Sequence, residues 1–450
     1  MTSMLSRAPI VTIRFPIHDI RTMMKRRSFL NRSAGLTLGT LGGVRAFGSM
    51  ADPGGSPSFS APRAGKPYPL AITMWEFSWL ERRWPGAGYE DWDQALSELV
   101  ERGYDAVRID AFPHLIHHDP EKEYLLLPHW SVQDWGSPSV NRVRVQPHLN
   151  TFLGKCRDHG IKAGLSTWFR KDENDLRMKL DSPEKLGEAW LAVLDAIDQG
   201  GMLDTVFYVD LCNEWTGPAW CPFFVNDPPE AVWTGWDTEK SRQWMRRATA
   251  VLKEKYPEIP VTFSFTGEVT RATLQKGPFE MLDFLEPHIW MSGFNGDEYY
   301  REVGYAYDLF EGTSYENLAL HGKRVYEARK EYWQEGLKRQ IQLAAQWSEL
   351  LRTSLITTEC WGVVDFKDGP LLDWDYVKEL CALGTREAAA TGRWVALATS
   401  NFCGPQFVGM WRDVGWHRKL TELIHGSSMA EDLLQSPLVT RLSDTGAYLP

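Results

Sequence analysis

Residues 204–215 read DTVFYVDLCNEW. Val206, Phe207, Tyr208, Val209 and Leu211 form a short continuous apolar run, the pattern of a strand buried on both faces. The run stops at Asn213, Glu214 and Trp215, then breaks into Thr216, Gly217 and Pro218. Residues 354–359, SLITTE, repeat the device with a second buried-type strand that ends in a glutamate. A carboxylate directly after a buried parallel strand sits at the strand's C-terminal mouth, where parallel barrels collect their chemistry.

Outward from these two stretches the chain alternates strand and helix. The patterning predicts strands over 70–75, 106–111, 163–168, 206–211, 261–265, 284–290, 354–358 and 395–399. It predicts helices over 89–101, 149–159, 182–199, 238–255, 332–351 and 375–390, with Gly103 and Gly160 as stop signals. The segment after the fifth strand holds only short helical pieces, 271–275 and 279–282. Eight strands alternating with helices point to an α/β fold, a single-domain (β/α)8 TIM barrel. Three long connections, 112–146, 216–237 and 291–329, follow strand C-termini and so fall on the active-site face.

The 450 residues, 43% hydrophobic, suffice for one large core, and no apolar run reaches the roughly 18 residues of a membrane span. The amino terminus differs in kind. Lys25-Arg26-Arg27-Ser28-Phe29-Leu30 precedes a mildly apolar, small-residue run over 33–44 and then Arg45, the layout of a twin-arginine export signal. Cleavage after Gly48 or Ala51 fits, and Met23 or Met24 begins the usual pattern, leaving 1–22 as extra leader. The expected organisation is leader 1–51, a Gly/Pro/Ser-rich linker 52–67, the barrel 68–430 and a C-terminal tail 431–450. Export by this route implies a periplasmic or secreted protein. Residues 1–50 hold eight Lys/Arg and one acid, so the remainder carries −17 of a total net charge of −10. Such a surface argues against nucleic acid or an anionic membrane as partner. The six cysteines match no CxxC or zinc spacing; Cys212 and Cys360 fall inside strands and read as small apolar packing groups.

Retaining glycoside hydrolysis needs one carboxylic acid to protonate the leaving oxygen and one carboxylate to attack the anomeric carbon, about 5–5.5 Å apart. Glu214 and Glu359 meet that requirement at the level of sequence, and Asn213 suits the sugar 2-hydroxyl. The chain holds 21 Trp. Trp75, Trp168, Trp215, Trp290 and Trp361 lie at or just past strand ends, where indole faces can stack on pyranose rings. Trp190, Trp244 and Trp347, on helices, read as core. Glu76 and Asp110 suit either sugar hydroxyls or ion pairs with Arg108, and Asp210, inside its strand, needs a buried partner. His114, His117, His118, Asp119 and Glu121 cluster after the second strand without the spacing of a helical metal-ligand pair. There is no Gly-x-Ser-x-Gly elbow, P-loop or Rossmann fingerprint.

On Asn213-Glu214 ending strand four and Glu359 ending strand seven, the stretch 68–425 resembles glycoside hydrolase clan A, and most the cellulase-like proteins near family five. That resemblance implies Glu214 as acid/base and Glu359 as nucleophile. It implies Arg108, in AVRID, as the strand-two arginine that keeps the nucleophile ionised. His288-Ile289-Trp290 stands where many members carry His-x-Tyr, which implies an N–H donor toward Glu359 from Trp290. Ser166-Thr167-Trp168 replaces a strand-three histidine, and residues 398–403, ATSNFC, lack the strand-eight tryptophan, leaving Asn401 or Phe402 in its space. The expected substrate-binding set is therefore Arg108, Asn213, His288, Trp290, Trp75, Trp168, Trp361, Glu76 and Asn401, with no metal and no cofactor. The expected activity is a retaining glycoside hydrolase on a β-linked carbohydrate. Two alternatives are a sugar-binding barrel without catalysis and a metal-dependent sugar isomerase or epimerase.

Overall fold

The computed structural model describes residues 66–129, 137–224, 235–275, 279–306, 312–363 and 373–448. The expected export signal and nearly all of the expected linker lie outside the described residues. Eight parallel strands form the barrel: β1 (Leu70–Glu76), β2 (Ala106–Asp110), β3 (Lys162–Ser166), β4 (Val206–Asp210), β5 (Val261–Thr262, resumed at Phe265–Thr266), β6 (Phe284–Leu285, resumed at Pro287–Trp290), β7 (Ser354–Thr357, resumed at Cys360–Trp361) and β8 (Trp394–Ala398). Neighbours in sequence are neighbours in the sheet, and β8 returns to β1 through Leu70↔Ala396. The ring closes between β5 and β6 through the resumed segments, at Pro287↔Phe265 and His288↔Thr266.

A helix follows each strand: α1 (Trp92–Glu101), α2 (His148–Asp158), α3 (Pro183–Gln199), α4 (Glu239–Lys255), α5 (Arg271–Leu274), α6 (Lys330–Leu351), α7 (Trp374–Thr391) and α8 (Val414–His425). The expected (β/α)8 barrel is the fold observed. Several helix starts are set by side-chain caps: Asp91, Ser182, Thr238 and Asp373 each accept backbone N–H groups of the first turn. Reading Ser182 and Thr238 as helical rather than as caps places those two starts one residue early. Gly164 in β3 is required by close approach: a Cβ there would lie 2.4 Å from the Tyr208 ring of β4.

Two of the stretches read as long loops hold regular structure. Residues 112–146 contain the helix Pro113–His118 and an antiparallel pair, Glu123–Leu126 with Asn141–Arg144. Residues 291–329 contain the helices Phe294–Val303 and Thr313–Ala328. The first of these begins Phe-Asn-Gly-Asp, with Asn295, Gly296 and Asp297 all at positive φ, a composition that reads as a turn. The terminal segment carries the helix Pro437–Asp444. Its Arg441 donates to the carbonyls of Val206 (3.1 Å) and Leu203 (2.6 Å) at the foot of β4. All six cysteines are buried free thiols.

Candidate active site

Arg108 organises the barrel's polar centre. It stands on β2, between β1 and β3, fully buried. Its NH1 donates to Glu359 Oε1 (3.0 Å) and Thr358 Oγ1 (3.1 Å). Its NH2 donates to Asn213 Oδ1 (2.8 Å), Ser166 Oγ (2.9 Å) and Asp210 Oδ2. The guanidinium also lies over the Trp168 ring, 4.8 Å from its centroid. Burial works against the charge, but Glu286, Asp210 and Glu359 outweigh it and push the guanidinium's pKa higher still. Asp210 finds the buried partners it needs: besides Arg108 it accepts from Ser166 Oγ (2.7 Å), Ser264 Oγ (2.8 Å) and the Ser264 N–H (2.8 Å).

Glu214 and Glu359 come together over this base. One carboxylate oxygen of each, with a ring nitrogen of His288, all lie within 4.8 Å of one another. His288 Nδ1 is 3.1 Å from Glu214 Oε1 and 3.7 Å from Glu359 Oε2, so the imidazole spans the pair. Glu214 sits at positive φ (44°), its N–H bonded to Ser264 Oγ (3.0 Å), and its Oε2 accepts from Trp220 Nε1 (3.1 Å). A left-handed non-glycine residue at this position is backbone strain held by its surroundings. The Glu214 side chain is 11% exposed and that of Glu359 3%.

The environments of the two carboxyls differ. Burial pushes Glu359 up to about 7, reinforced by the nearby Glu214 and opposed by His288 and Arg108. Burial also acts on Glu214, but the hydrogen bond and charge of His288, then Trp220 and Thr266, outweigh it and hold that carboxyl below its ordinary value. His288 is desolvated, yet Glu359 and Glu214 raise its pKa on balance. Three groups this close titrate as one unit. The same three ligand atoms have the spacing of a divalent-metal site, the one such grouping found among the described residues.

The remaining expected residues divide. Asn213 lies in the centre, its Oδ1 taken by Arg108 and its Nδ2 without a partner among the described residues. Trp168 lies there too, between Arg108 and Phe77. Asn401 is buried, its N–H donating to the Cys360 carbonyl next to Glu359 (3.1 Å). Three tryptophans do not line the site. Trp75 packs on Tyr89 and Phe152 and donates to the Cys403 carbonyl (3.1 Å). Trp361 donates to the Ala398 carbonyl (2.9 Å) and presses on Gly384 of α7. Trp215 packs against Phe224 and Trp244 and donates to Ser241 of α4 (2.7 Å). Strand side chains alternate between faces, and Trp75 and Trp361 take the face toward the helices, while Trp215 lies in the turn beyond β4.

Trp290 is buried, but its Nε1 has no hydrogen-bond partner among the described residues, so the expected donation to Glu359 is not made. Glu76, at φ 33°, turns back to accept from Ser78. Asp110 is structural: it accepts the N–H groups of Phe112 (2.7 Å) and Trp168 (2.9 Å). The histidines after β2 do not converge. His114 is buried with Nε2 against the Arg170 carbonyl (2.9 Å), while His117, His118 and Asp119 are exposed. Sequence reasoning passed over Trp220, Ser264, Thr358 and Glu286, all in contact with the centre. Trp220 carried no signal within its loop. Ser264 and Glu286 lie in predicted strands, where a polar residue among apolar ones is itself the clue.

The profile of the family described as "Cellulase-like: Sugar-binding cellulase-like" matches residues 72–425. The crystal structure of a candidate glycoside hydrolase from Parabacteroides distasonis is 51% identical, over 84% of this chain and 100% of that one, with a TM-score of 0.82. At much lower similarity stand two further structures. One is a family 5 subfamily 18 glycoside hydrolase variant from Bifidobacterium longum in complex with Manβ1-4GlcNAc (13% identity, 73% and 68% of the two chains, TM-score 0.43). The other is an endo-β-1,4-mannanase from Thermotoga petrophila (10% identity, 80% and 78%, TM-score 0.46). No curated protein matches. With the profile spanning most of the barrel, the chain belongs to the sugar-binding cellulase-like family.

Proposed function

We propose that this protein is a retaining glycoside hydrolase that cleaves a β-linked glycoside or oligosaccharide by double displacement. One observation carries the reading: carboxylate oxygens of Glu214 and Glu359 within 4.8 Å, at the mouths of β4 and β7. That separation suits the roughly 5–5.5 Å of retaining pairs and leaves no room for the water of an inverting mechanism.

In the first step Glu214 gives its proton to the glycosidic oxygen while a Glu359 oxygen attacks the anomeric carbon. The leaving group departs as an alcohol and a glycosyl ester remains on Glu359. In the second, Glu214, now a carboxylate, takes a proton from water as that water attacks the same carbon, and Glu359 departs as a carboxylate. Arg108 steadies Glu359 in both directions through its 3.0 Å hydrogen bond. With Glu359 ionised, the site's one mobile proton is shared between His288 and Glu214 across 3.1 Å, and its transfer to Glu214 creates the competent acid. The amide N–H of Asn213, without a partner among the described residues, is the donor for a sugar hydroxyl.

Glu359→Gln tests the reading on a panel of aryl β-glycosides. Turnover is expected to vanish with the melting temperature preserved, and undiminished hydrolysis would remove the assignment. An inactive sugar-binding barrel would instead show oligosaccharide binding with no turnover in the wild type. The twin-arginine leader supports export to the periplasm or beyond. Replacing Arg26 and Arg27 together by lysine is expected to leave a reporter fused to residues 1–60 inside the cell; export at the unaltered level would refute that route.

A further inference from the structure

Glu286 takes no part in the double displacement, yet it lies in the same dry centre. It stands at the break in β6, fully buried, on the strand that also supplies His288. Thr358 donates its hydroxyl to Glu286 Oε1 (2.6 Å). That hydroxyl's lone pair in turn accepts from NH1 of Arg108 (3.1 Å), the same nitrogen that bonds Glu359. Thr358 immediately precedes Glu359, so Glu286, Thr358, Arg108 and Glu359 form a closed chain of contacts around the nucleophile.

The charges do not balance if every acid is ionised. Arg108 on β2 faces Asp210 on β4, Glu286 on β6 and Glu359 on β7, with 0% exposure for the arginine, Asp210 and Glu286 side chains. His288 on β6, Glu214 after β4, the Tyr208 hydroxyl on β4 and the thiols of Cys212 and Cys360 also face these charges. The guanidinium commits hydrogen bonds to Asp210 and Glu359 but none to Glu286, whose Oε1 lies 3.6 Å from Nε. Among the described residues Glu286 Oε2 has no hydrogen-bond partner at all. Glu286 thus faces the guanidinium as an ion-pair partner and holds its one side-chain hydrogen bond through Thr358. Burial, aided by the charge of Asp210, moves its pKa upward despite Arg108.

We propose that Glu286 is a positioning residue: its carboxyl fixes the Thr358 hydroxyl and, through it, the Arg108 nitrogen that bonds Glu359. The role rests on Glu359 being the nucleophile. Glu286 touches no reacting atom; it acts through Thr358 and Arg108.

A conservative and a truncating variant test it. In kinetics with an aryl glycoside, Glu286→Gln should stay within about threefold of wild type in kcat. Glu286→Leu, which removes the acceptor for Thr358, should lose roughly 10–100-fold in kcat with KM unchanged. Equal activity of the Gln and Leu variants overturns positioning, as does a Gln variant as impaired as Leu. Should Glu359→Gln leave turnover intact, the nucleophile reading fails and the positioning role that rests on it fails with it. Should Glu359→Gln be dead with both Glu286 variants normal, only the positioning role fails.

Discussion

The barrel has two unlike sides. From β8 through β1, β2, β3 and β4 the strands run five to seven residues without interruption. β5, β6 and β7 are each broken into two short pieces. The residues at the breaks are Phe263 and Ser264, Glu286, and Thr358 and Glu359. Four of those five carry the polar centre's hydrogen bonds. The continuous side supplies Arg108 and Asp210 from positions the ladder fixes rigidly. On the broken side the chain leaves the ladder where a side chain must be aimed, and the backbone groups freed there find other partners: the Ser264 N–H donates to Asp210 Oδ1 and the Ser264 carbonyl accepts from the Trp215 N–H. Regular pairing provides the platform, and its interruption provides direction.

This contrast can be broken by experiment. The largest effect belongs on the continuous side. Leu165→Ala in β3, fully buried, should cost about 2–5 kcal/mol in urea unfolding while kcat of the folded protein stays put. A fall in kcat as steep as the loss in stability would erase the distinction. Next comes Ser264→Ala at the β5 break, which strips the acceptor from the Glu214 N–H and a donor from Asp210. Here the stability loss should be only about 1–3 kcal/mol, with kcat falling as well. A variant with full activity would show that the break does not aim Glu214. The smallest effect is in pH dependence. Glu359, pushed up to about 7, is protonated below that value, so kcat/KM should rise as pH climbs through about 7. Activity should fall again when the proton shared by His288 and Glu214 is lost, above the ordinary histidine value. His288→Gln should move the rising limb upward, because Glu359 loses the imidazole's stabilising charge. A rising limb near 4, or one unmoved in that variant, would contradict the coupling.

How much of this could be read from the residues follows the same division. The β4 stretch announced both its burial and its terminal glutamate, since an unbroken apolar run is its own signature. SLITTE did the same for β7. What the pattern withheld was facing. Nearness to a strand end suggested Trp75, Trp215 and Trp361 for the site, but side-chain alternation turns Trp75 and Trp361 outward, and Trp215, in the turn beyond β4, packs on α4. Trp168, by contrast, lies against the Arg108 guanidinium. Glu286 was hidden for the opposite reason: in a strand of mainly apolar residues it reads as a blemish, and only the opposing guanidinium explains it. Trp220 depends on the path of a loop, which no local periodicity encodes.

The six sequestered thiols give the molecule a built-in clock. Cys212 adjoins Asn213 and Cys360 adjoins Glu359, whereas Cys156 and Cys381 lie in α2 and α7. Burial pushes the Cys403 sulfhydryl up to about 12, so an alkylating reagent must await an opening event before it reacts. The order in which these sulfurs are tagged would therefore tell whether the shell of helices or the rim around the two glutamates loosens first.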